Sequence, residues 1–264
     1  MPTRIRITTW NVNSIKARRE RVLTWLRLHR PDVLCLQELK VTDDAFPLEA
    51  VEELGYYAAV YGQRTYNGVA ILSRSPPRNI EVGMGPGDRD PQARLVAATV
   101  DGVRVLSAYV PNGARVGTDK YGYKLDWLRR LLEHLEQTAS PSEPLVLAGD
   151  FNVAPRDQDV NQLEDWKESV LCHYAARDAL ARIRDWGLSD VFERHNPEGS
   201  VYTWWAYQRL AFPRNDGLRI DHIYATESLA LRSTDAFVDR EARKKGPFSE
   251  KPSDHAPVVA EFEV

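Results

Sequence analysis

The sequence predicts an α/β fold in which two β-sheets pack face to face and helices cover their outer sides. Short apolar or alternating segments, which are typical of strands, recur along the whole chain. A few longer segments have helical spacing and stand at intervals among these strands. The chain has 264 residues, close to the upper limit for one hydrophobic core. We therefore expect one domain that spans residues 1–264.

Nine segments have the pattern of strands. Some alternate polar and apolar residues, and others are continuous apolar runs, as in strands that are buried on both faces. In chain order they are RIRITTW (4–10), DVLCLQE (32–38), GVAILS (68–73), RLVAATV (94–100), VRVLSAYV (103–110), EPLVLAGD (143–150), VYTWWAY (201–207), LRIDHIYA (218–225) and APVVAEFEV (256–264).

Three segments have the spacing of amphipathic helices. Residues 15–29 carry Val22, Leu23 and Leu26 between charged residues. Residues 119–136 place five leucines on one side, and residues 175–186 form the third segment. We expect these helices to pack their apolar sides on the sheets.

The composition is that of an ordinary globular protein. Apolar residues make up 43% and charged residues 28%, and no apolar run approaches the roughly 20 residues that span a bilayer. The N-terminus lacks the apolar core of a signal peptide, and Cys35 and Cys172 follow no metal-ligand spacing. We expect a cytoplasmic protein, associated with the nucleoid if it is bacterial, with no membrane contact.

The net charge is −3, which does not indicate a general polyanion binder. Basic residues cluster in segments 16–30 and 240–248. The simpler interpretation is that these are solvated faces of helices or loops. A basic rim around an acidic centre would also give a net charge close to zero.

Polar residues stand where apolar strands end, although a simple strand does not need them there. If these strand ends share one edge of the sheets, their side chains converge, and functional groups often occupy such edges. The residues are Asn11, Glu38, Tyr109 with Asn112, Asp150 with Asn152, Asp221, and the pair Asp254–His255.

Such a cluster would need a cation, because crowded carboxylates repel one another and their pKa values rise. Oxygen ligands without thiols suit Mg²⁺, for which Mn²⁺ can substitute, and a single histidine does not make a zinc site. A metal, a carboxylate that takes a proton from water, and donors to a phosphate together suit phosphoester hydrolysis.

Each of these residues also has a structural interpretation when it is considered alone. Glu38 could be a capping or ion-paired acid, and the GDFN string could be a tight turn. Asp221 could pair with Arg219 or a nearby lysine, and His255 could be a structural histidine. A structural interpretation of the whole set requires six separate coincidences at six strand ends.

The motifs WNVNS, QELK, YVPNG, GDFNV, GLRIDHI and SDHAPV stand in the order and rough spacing of a known family. They resemble the exonuclease III-type apurinic/apyrimidinic (AP) endonucleases of the endonuclease–exonuclease–phosphatase superfamily, from Ile5 to Phe262. The resemblance implies a DNase I-like, four-layer α/β sandwich: two packed mixed β-sheets flanked by helices, with the active site at one end.

The resemblance also implies roles for the polar cluster. Glu38 corresponds to the principal metal ligand, with Asn11 beside it and Asp254, Asp150 and Asn152 as further candidates. Asp150 is similar to the residue that orients or deprotonates the attacking water. Tyr109 and Asn152 resemble donors to the phosphate. Asp221 resembles the partner that orients the His255 imidazole. Either Asp150 or the His255–Asp221 pair could be the general base, and we favour Asp150 because an ion-paired imidazole has a raised pKa.

A second set of residues resembles the family's substrate contacts. Trp204 corresponds to an aromatic wall for the base-free sugar, and Leu218 to its apolar partner. Strand alternation places Trp204 and Trp205 on opposite faces, so we expect one of them in the core. The remaining candidates for DNA contacts are Asn112, Arg94, Lys120, Tyr121 and Lys124.

The implied function is a Mg²⁺-dependent DNA-repair phosphodiesterase that acts as a monomer. It would cut 5′ to abasic sites in double-stranded DNA, with 3′-5′ exonuclease and 3′-phosphatase activity. Two alternatives are a DNA-binding relative that has lost catalysis and a phosphatase of lipids or sugar phosphates. Glu38, Asp150, Asn152 and His255 are all present, which argues against loss of catalysis.

Overall fold

The computed structural model describes residues 4–85, 87–88, 90–246, 248 and 250–264. Within them lie two six-stranded β-sheets. The first has the order β11-β12-β1-β2-β4-β3 and the second β5-β6-β7-β8-β10-β9. The strands are β1 (Arg4–Asn11), β2 (Val33–Gln37), β3 (Tyr57–Tyr61), β4 (Val69–Ser73), β5 (Arg78–Val82), β6 (Leu95–Val100), β7 (Val103–Tyr109), β8 (Leu145–Asp150), β9 (Leu188–Asp190), β10 (Asp221–Thr226), β11 (Ser233–Val238) and β12 (Val258–Glu263).

The longest helices lie on the outer sides of both sheets. The α-helices are α1 (Arg19–His29), α2 (Leu48–Glu52), α3 (Asp119–Thr138), α4 (Leu163–Trp166), α5 (Tyr174–Asp185), α6 (Val191–His195) and α7 (Glu227–Ala230). Apolar residues of α1 share a buried cluster with the first sheet, and those of α3 and α5 share another with the second sheet. A third cluster fills the space between the sheets. The predicted four-layer arrangement is confirmed.

Strand β2 shows why a continuous apolar run is needed. Val33 and Cys35 belong to the cluster between the sheets, while Leu34 and Leu36 belong to the cluster under α1. Successive side chains of a strand point to opposite faces, so a strand with a layer on each side must be apolar at every position. Both sheets are mixed, because β1 pairs with β2 in parallel and β7 pairs with β8 in parallel.

Four strands, β3, β5, β9 and β11, are absent from the sequence prediction, and two of the predicted elements differ in the structure. The first predicted helix, at residues 15–29, begins as a 3₁₀ turn, and α1 starts at Arg19. The predicted strand at 201–207 is wrong, since Trp204 makes only isolated bridges to Leu218 and His255. The hydroxyl of Thr203 instead accepts hydrogen bonds from the backbone N–H groups of Ile220 and Asp221, which replaces a regular ladder.

The two basic segments are only partly solvated. Arg21 and Arg243 are buried, at 4% and 7% exposure, so the expectation of solvated faces fails at these positions. Residue 247 of the second segment lies outside the described residues. Among the helices of the described residues, none is both long and apolar enough to cross a bilayer.

Candidate active site

A cavity of about 500 Å³ lies where strand ends of both sheets meet. In the second sheet, Tyr109 and Asp221 are both register partners of Asp150, so three polar residues lie side by side at one edge. In the first sheet, Asn11 is opposite Gln37, and Glu38 follows directly. The polar residues that line the cavity include Glu38, Tyr109, Asn112, Asp150, Asn152, Asp254 and His255.

Gly149 allows the strand before Asp150 to lie close to its neighbour. A Cβ atom at this position would approach the carbonyl oxygen of Ala108 to 1.9 Å, far inside van der Waals contact. The glycine of the GDFN string is therefore required by the packing of β7 on β8. This packing fixes the position of Asp150 at the edge of the sheet.

Glu38 is held by three donors. Its Oε1 accepts hydrogen bonds from the Asn11 Nδ2 at 2.8 Å and the Tyr109 hydroxyl at 2.9 Å, and its Oε2 lies 2.8 Å from Lys40 Nζ. Burial would raise the pKa of Glu38, but Lys40 and the Asn11 amide outweigh it and lower the pKa. Glu38 also has a φ of 55°, in the left-handed region that glutamate rarely adopts. Such strain is common at functional sites.

Asp150 is buried beside other acids. It accepts hydrogen bonds from Asn11 Nδ2 at 2.9 Å and from the backbone N–H of Asn152 at 2.9 Å. Burial raises the pKa of Asp150 to about 7, and the neighbouring carboxylates of Asp221 and Glu38 act in the same direction. An acid in this environment takes up a proton readily near neutral pH, as a general base must.

His255 forms an ion pair with Asp221. Its Nδ1 lies 2.9 Å from Asp221 Oδ2, whose position is fixed by the Thr203 hydroxyl at 2.6 Å. Burial alone would lower the pKa of His255, but Asp221, assisted by Asp150, raises it to about 10. The ring is therefore an imidazolium whose Nε2 lies 3.9 Å from Asp150 Oδ2.

Arg219 is not the partner of Asp221. It is buried and pairs with Asp159 at 2.8 Å and with Asp190 at 2.7 Å. The structural interpretation of Asp221 as a partner of Arg219 therefore does not hold, and its carboxylate is engaged by His255 and Thr203.

Two carboxylates at the site could hold a divalent cation. Ligand atoms of Glu38, Asp150 and His255 all lie within 4.8 Å of one another. A protonated imidazole cannot ligate a metal, so Glu38 and Asp150 are the two residues of this group that could hold a cation. The fit is good for a hard cation such as Mg²⁺, which is commonly held by one or two carboxylates together with phosphate oxygens and water.

Asp254 lines the cavity, but its oxygens are already engaged. Oδ1 accepts a hydrogen bond from Asn13 Nδ2 at 2.9 Å, and Oδ2 accepts one from the Trp204 indole N–H at 3.1 Å. Asp254 also does not belong to the group of residues, Glu38, Asp150 and His255, whose ligand atoms lie within 4.8 Å of one another. These contacts support a structural role for Asp254, in which it connects Asn13 to Trp204 in the cavity wall, more than the predicted role in metal binding.

The side-chain amides of Asn112 and Asn152 are hydrogen-bonded to each other. Asn152 has a φ of 50°, donates from Nδ2 to the carbonyl of Val110 at 3.0 Å, and accepts at Oδ1 from Asn112 Nδ2 at 3.0 Å. Asn152 is buried and Asn112 is exposed. Asn112 is thus the more accessible of the two amides for a ligand.

One wall of the cavity is apolar. Trp204 lines it and is half-buried, whereas Trp205 is fully buried, as expected for one member of the pair. The prediction that Leu218 is the apolar partner of Trp204 needs correction. Leu218 has no exposed surface and belongs to a buried apolar cluster, and its backbone bridges to Trp204 and Val160. Ile220 lines the cavity instead.

Sequence reasoning missed a second tryptophan in this wall. Trp166, at the end of α4, contacts Trp204 edge-to-face, with ring centroids 5.8 Å apart and planes at 89°. It lies in a short helix without amphipathic periodicity, so the sequence carries no strong signal for it. Lys40 and Asn13 were also missed, although both lie within the quoted motifs QELK and WNVNS.

The candidate DNA contacts divide into exposed and buried residues. Lys120 is exposed. Lys124 has no exposed surface, and its ammonium donates to the carbonyls of Asn112, Asn152 and Val170. The structure does not support a contact between Lys124 and DNA, because its donors are used inside the protein.

Tyr121 and Arg94 are also largely internal. Tyr121 is buried, with its hydroxyl 2.8 Å from His173 Nδ1, so a direct DNA contact is not supported. Arg94 is 9% exposed, lies over the Tyr109 ring and donates to the Tyr109 carbonyl at 3.1 Å. Arg94 nevertheless lines a neighbouring cavity together with Lys120.

Comparison with known proteins identifies the family to which the chain belongs. The sequence model of the Endonuclease/Exonuclease/phosphatase family matches residues 8–255. Exodeoxyribonuclease III of Haemophilus influenzae is 33% identical over 270 residues, which cover 98% of this chain and 100% of the relative.

Solved structures show the same fold. An AP endonuclease from Archaeoglobus fulgidus superimposes with a TM-score of 0.94 at 39% identity, over 98% of this chain and 100% of that one. The NExo protein of Neisseria meningitidis, described as a 3′-5′ exonuclease, gives a TM-score of 0.93 at 43% identity over the same shares. A second NExo structure is described as a 3′ phosphatase bound to a product DNA hairpin.

The match to the family model over most of the chain, the full-length similarity to exodeoxyribonuclease III and the shared fold lead to one conclusion. The chain belongs to the Endonuclease/Exonuclease/phosphatase family and is a nuclease of the exodeoxyribonuclease III and AP endonuclease type.

Proposed function

We propose that this protein is a Mg²⁺-dependent DNA-repair phosphodiesterase that cuts duplex DNA 5′ to an abasic site and also processes blocked 3′ ends. The observation that carries the proposal is the placement of Asp150, with its raised pKa, between Glu38 and the His255 imidazolium in one cavity. The similarity to an AP endonuclease over nearly the whole chain supports the substrate class.

The residues have distinct parts in the proposed reaction. Glu38 and Asp150 would hold the cation, which would neutralise charge on the phosphate oxygens when bound. Asp150 would take the proton of the attacking water, because its carboxylate lies in the same cavity as Glu38 and the His255 imidazolium. The imidazolium of His255 would donate to a phosphate oxygen as negative charge develops. Asn112 and Asn152 line the same cavity and would orient the phosphate.

The cavity wall supports recognition of a nucleotide that lacks its base. Trp204, Trp166 and Ile220 form an apolar surface next to the catalytic groups. A deoxyribose without a base could be turned out of the duplex against this surface, while an intact nucleotide would need more room.

Processing of 3′ ends is the second part of the proposal. NExo, described both as a 3′-5′ exonuclease and as a 3′ phosphatase, is 43% identical to this chain. The same catalytic groups would serve both reactions, because each reaction breaks a phosphate ester next to the same acid, base and donor. The two reactions would differ in what fills the apolar part of the cavity.

Three matched duplexes test the proposal. One carries a tetrahydrofuran abasic analogue, one is intact with a 3′-hydroxyl, and one ends in a 3′-phosphate; each is incubated with Mg²⁺ or with EDTA. We expect Mg²⁺-dependent cleavage 5′ to the tetrahydrofuran, leaving a 3′-hydroxyl, and removal of the 3′-phosphate. Absence of cleavage at the tetrahydrofuran would contradict the AP endonuclease assignment, whatever happens at the 3′ ends.

A further inference from the structure

A continuous chain of hydrogen bonds connects the apolar wall of the cavity to the acids that would hold the cation. We propose that Trp204 is a positioning residue for the metal site, acting through this chain. We call it the indole–carboxylate chain. Its members, in order, are Trp204, Asp254, Asn13, Lys40, Glu38, Asn11 and Asp150. The inference rests on the proposed function for the identity of the substrate that would contact Trp204.

The first half of the chain runs from the wall to the lysine. The Trp204 indole N–H donates to Asp254 Oδ2 at 3.1 Å. Asp254 Oδ1 accepts from Asn13 Nδ2 at 2.9 Å, and Asn13 Oδ1 accepts from Lys40 Nζ at 2.6 Å. The wall of the cavity is therefore bonded to Lys40 through two side chains.

The second half runs from the lysine to both acids. Lys40 Nζ lies 2.8 Å from Glu38 Oε2. Glu38 Oε1 accepts from Asn11 Nδ2 at 2.8 Å, and the same Nδ2 donates its other hydrogen to Asp150 Oδ2 at 2.9 Å. One amide thus sets the spacing of the two carboxylates.

The amides of the indole–carboxylate chain have a single favourable orientation. The Asn13 amide has an ammonium at its oxygen and a carboxylate at its nitrogen, so a flipped amide would face like partners at both ends. Asn11 is fixed in the same way, because its Oδ1 accepts from the backbone N–H of Asn13 at 3.0 Å while its Nδ2 faces two carboxylates. Networks that are satisfied in this way are rigid.

The backbone presents these side chains from a strained geometry. Asn13, Glu38 and Lys40 have φ values of 46°, 55° and 57°, all in the left-handed region. Strain of this kind persists only where the surroundings hold it in place. Loss of the indole donor at one end would therefore loosen Asp254, then Asn13 and Lys40, and alter how Glu38 is aimed. Outer partners of metal ligands commonly tune metal affinity in this manner.

The coupling is reciprocal. If Trp204 influences metal affinity through the chain, then a substrate that displaces Trp204 changes metal affinity by the same factor by which the metal changes substrate affinity. A substrate that moves the indole N–H away from Asp254 would weaken metal binding, whereas one that packs on the ring and leaves this hydrogen bond in place would not.

The test is a Mn²⁺ titration of the DNA-free protein, with free Mn²⁺ followed by electron paramagnetic resonance. Trp204→Phe keeps an aromatic wall and removes only the indole N–H. We expect it to weaken Mn²⁺ binding about five-fold or more, in the range of typical coupling between sites. The matched control is Trp166→Phe, which changes the other indole of the same wall but lies outside the chain, and we expect less than about a two-fold change.

A double-mutant cycle identifies the route. Lys40→Met interrupts the chain, so Trp204→Phe should have no further effect on the Mn²⁺ dissociation constant in that background. If Lys40→Met does not fold, as judged by thermal unfolding, Asn13→Leu interrupts the chain one link earlier and replaces it.

Several results would overturn the inference: no Mn²⁺ binding by the wild type, unchanged or tighter binding in Trp204→Phe, or the same Trp204→Phe effect when the chain is interrupted. The titration contains no DNA. A result that overturns the inference about Trp204 is therefore distinguishable from failure of the proposed function. Failure of the proposed function would appear as absence of cleavage in the assay with the three duplexes.

Discussion

His255 Nδ1 lies 2.9 Å from Asp221 Oδ2, and both residues are buried. The carboxylate raises the pKa of the imidazole to about 10, so the ring keeps its proton through the neutral range. A histidine in this state is suited to donate to a phosphate oxygen and poorly suited to accept a proton from water. The relationship supports Asp150, and not His255, as the base.

Asp221→Asn should change both the rate and its pH dependence. Without the carboxylate, the pKa of His255 falls from about 10, because Asp221 is the main group that raises it. Cleavage should drop by about 10²–10³-fold, as for loss of a transition-state donor. The alkaline limb of the pH–rate profile should also move to lower pH. A profile with the wild-type alkaline limb would show that His255 does not act as a charged donor.

Asp150→Asn should stabilise the metal-free protein above neutral pH. The folded-state pKa of Asp150 is raised to about 7, whereas in unfolded chains aspartate has a pKa of about 3.9. The ionised carboxylate therefore destabilises the folded protein. This destabilisation is complete above pH 7 and diminishes as the pH falls from about 7 to about 3.9. In EDTA at pH 8, the variant should melt a few degrees higher, since each kcal/mol corresponds to about 2–4 °C.

The comparison at low pH provides the control for this variant. Near pH 4 the wild-type carboxyl is largely protonated in the folded protein, so the difference in Tm between the two proteins should shrink. Saturating Mg²⁺ at pH 8 should also reduce it, because the cation stabilises the wild type. A variant that melts below the wild type in EDTA at pH 8 would contradict the electrostatic description of the site.

Lys120→Gln and Lys124→Met separate a surface cation from an internal one. Lys120 is exposed, while Lys124 donates three hydrogen bonds to carbonyls inside the protein. Lys120→Gln should reduce the slope of log K against log [salt] for duplex binding by about 0.9, the value for one phosphate contact. Lys124→Met should leave that slope unchanged and lower the Tm instead. A loss of slope in Lys124→Met would restore its predicted role as a DNA contact.

The strands that could be predicted from sequence are those in the interior of the sheets. β1, β2, β4, β6, β7, β8, β10 and β12 were all anticipated, because burial on one or both faces gives them a clear apolar pattern. The four missed strands, β3, β5, β9 and β11, are the four edge strands. All five residues of β5 are exposed, and β9 has only three residues, so neither carries such a pattern.

The polar residues at the strand ends were more predictable from the sequence than the apolar wall of the cavity. Asp150 and Asp221 occupy adjacent positions in the strand register, and polar residues at strand ends are unusual enough to be recognised. Leu218 and Ile220 cannot be ranked from sequence, because both are apolar residues of the same segment and only the fold decides which of them reaches the cavity. Lys124 looked like a surface lysine, since the sequence does not reveal the three loop carbonyls that surround it.

The most direct test of the central claim is single-turnover cleavage of a tetrahydrofuran duplex by the wild type and Asp150→Asn, in Mg²⁺ and in EDTA. We expect cleavage 5′ to the analogue by the wild type in Mg²⁺ and none in EDTA. Asp150→Asn should cleave at least about 10³-fold more slowly while binding the same duplex with similar affinity. Cleavage by Asp150→Asn at close to the wild-type rate, or cleavage in EDTA, would contradict a metal-dependent reaction centred on Asp150.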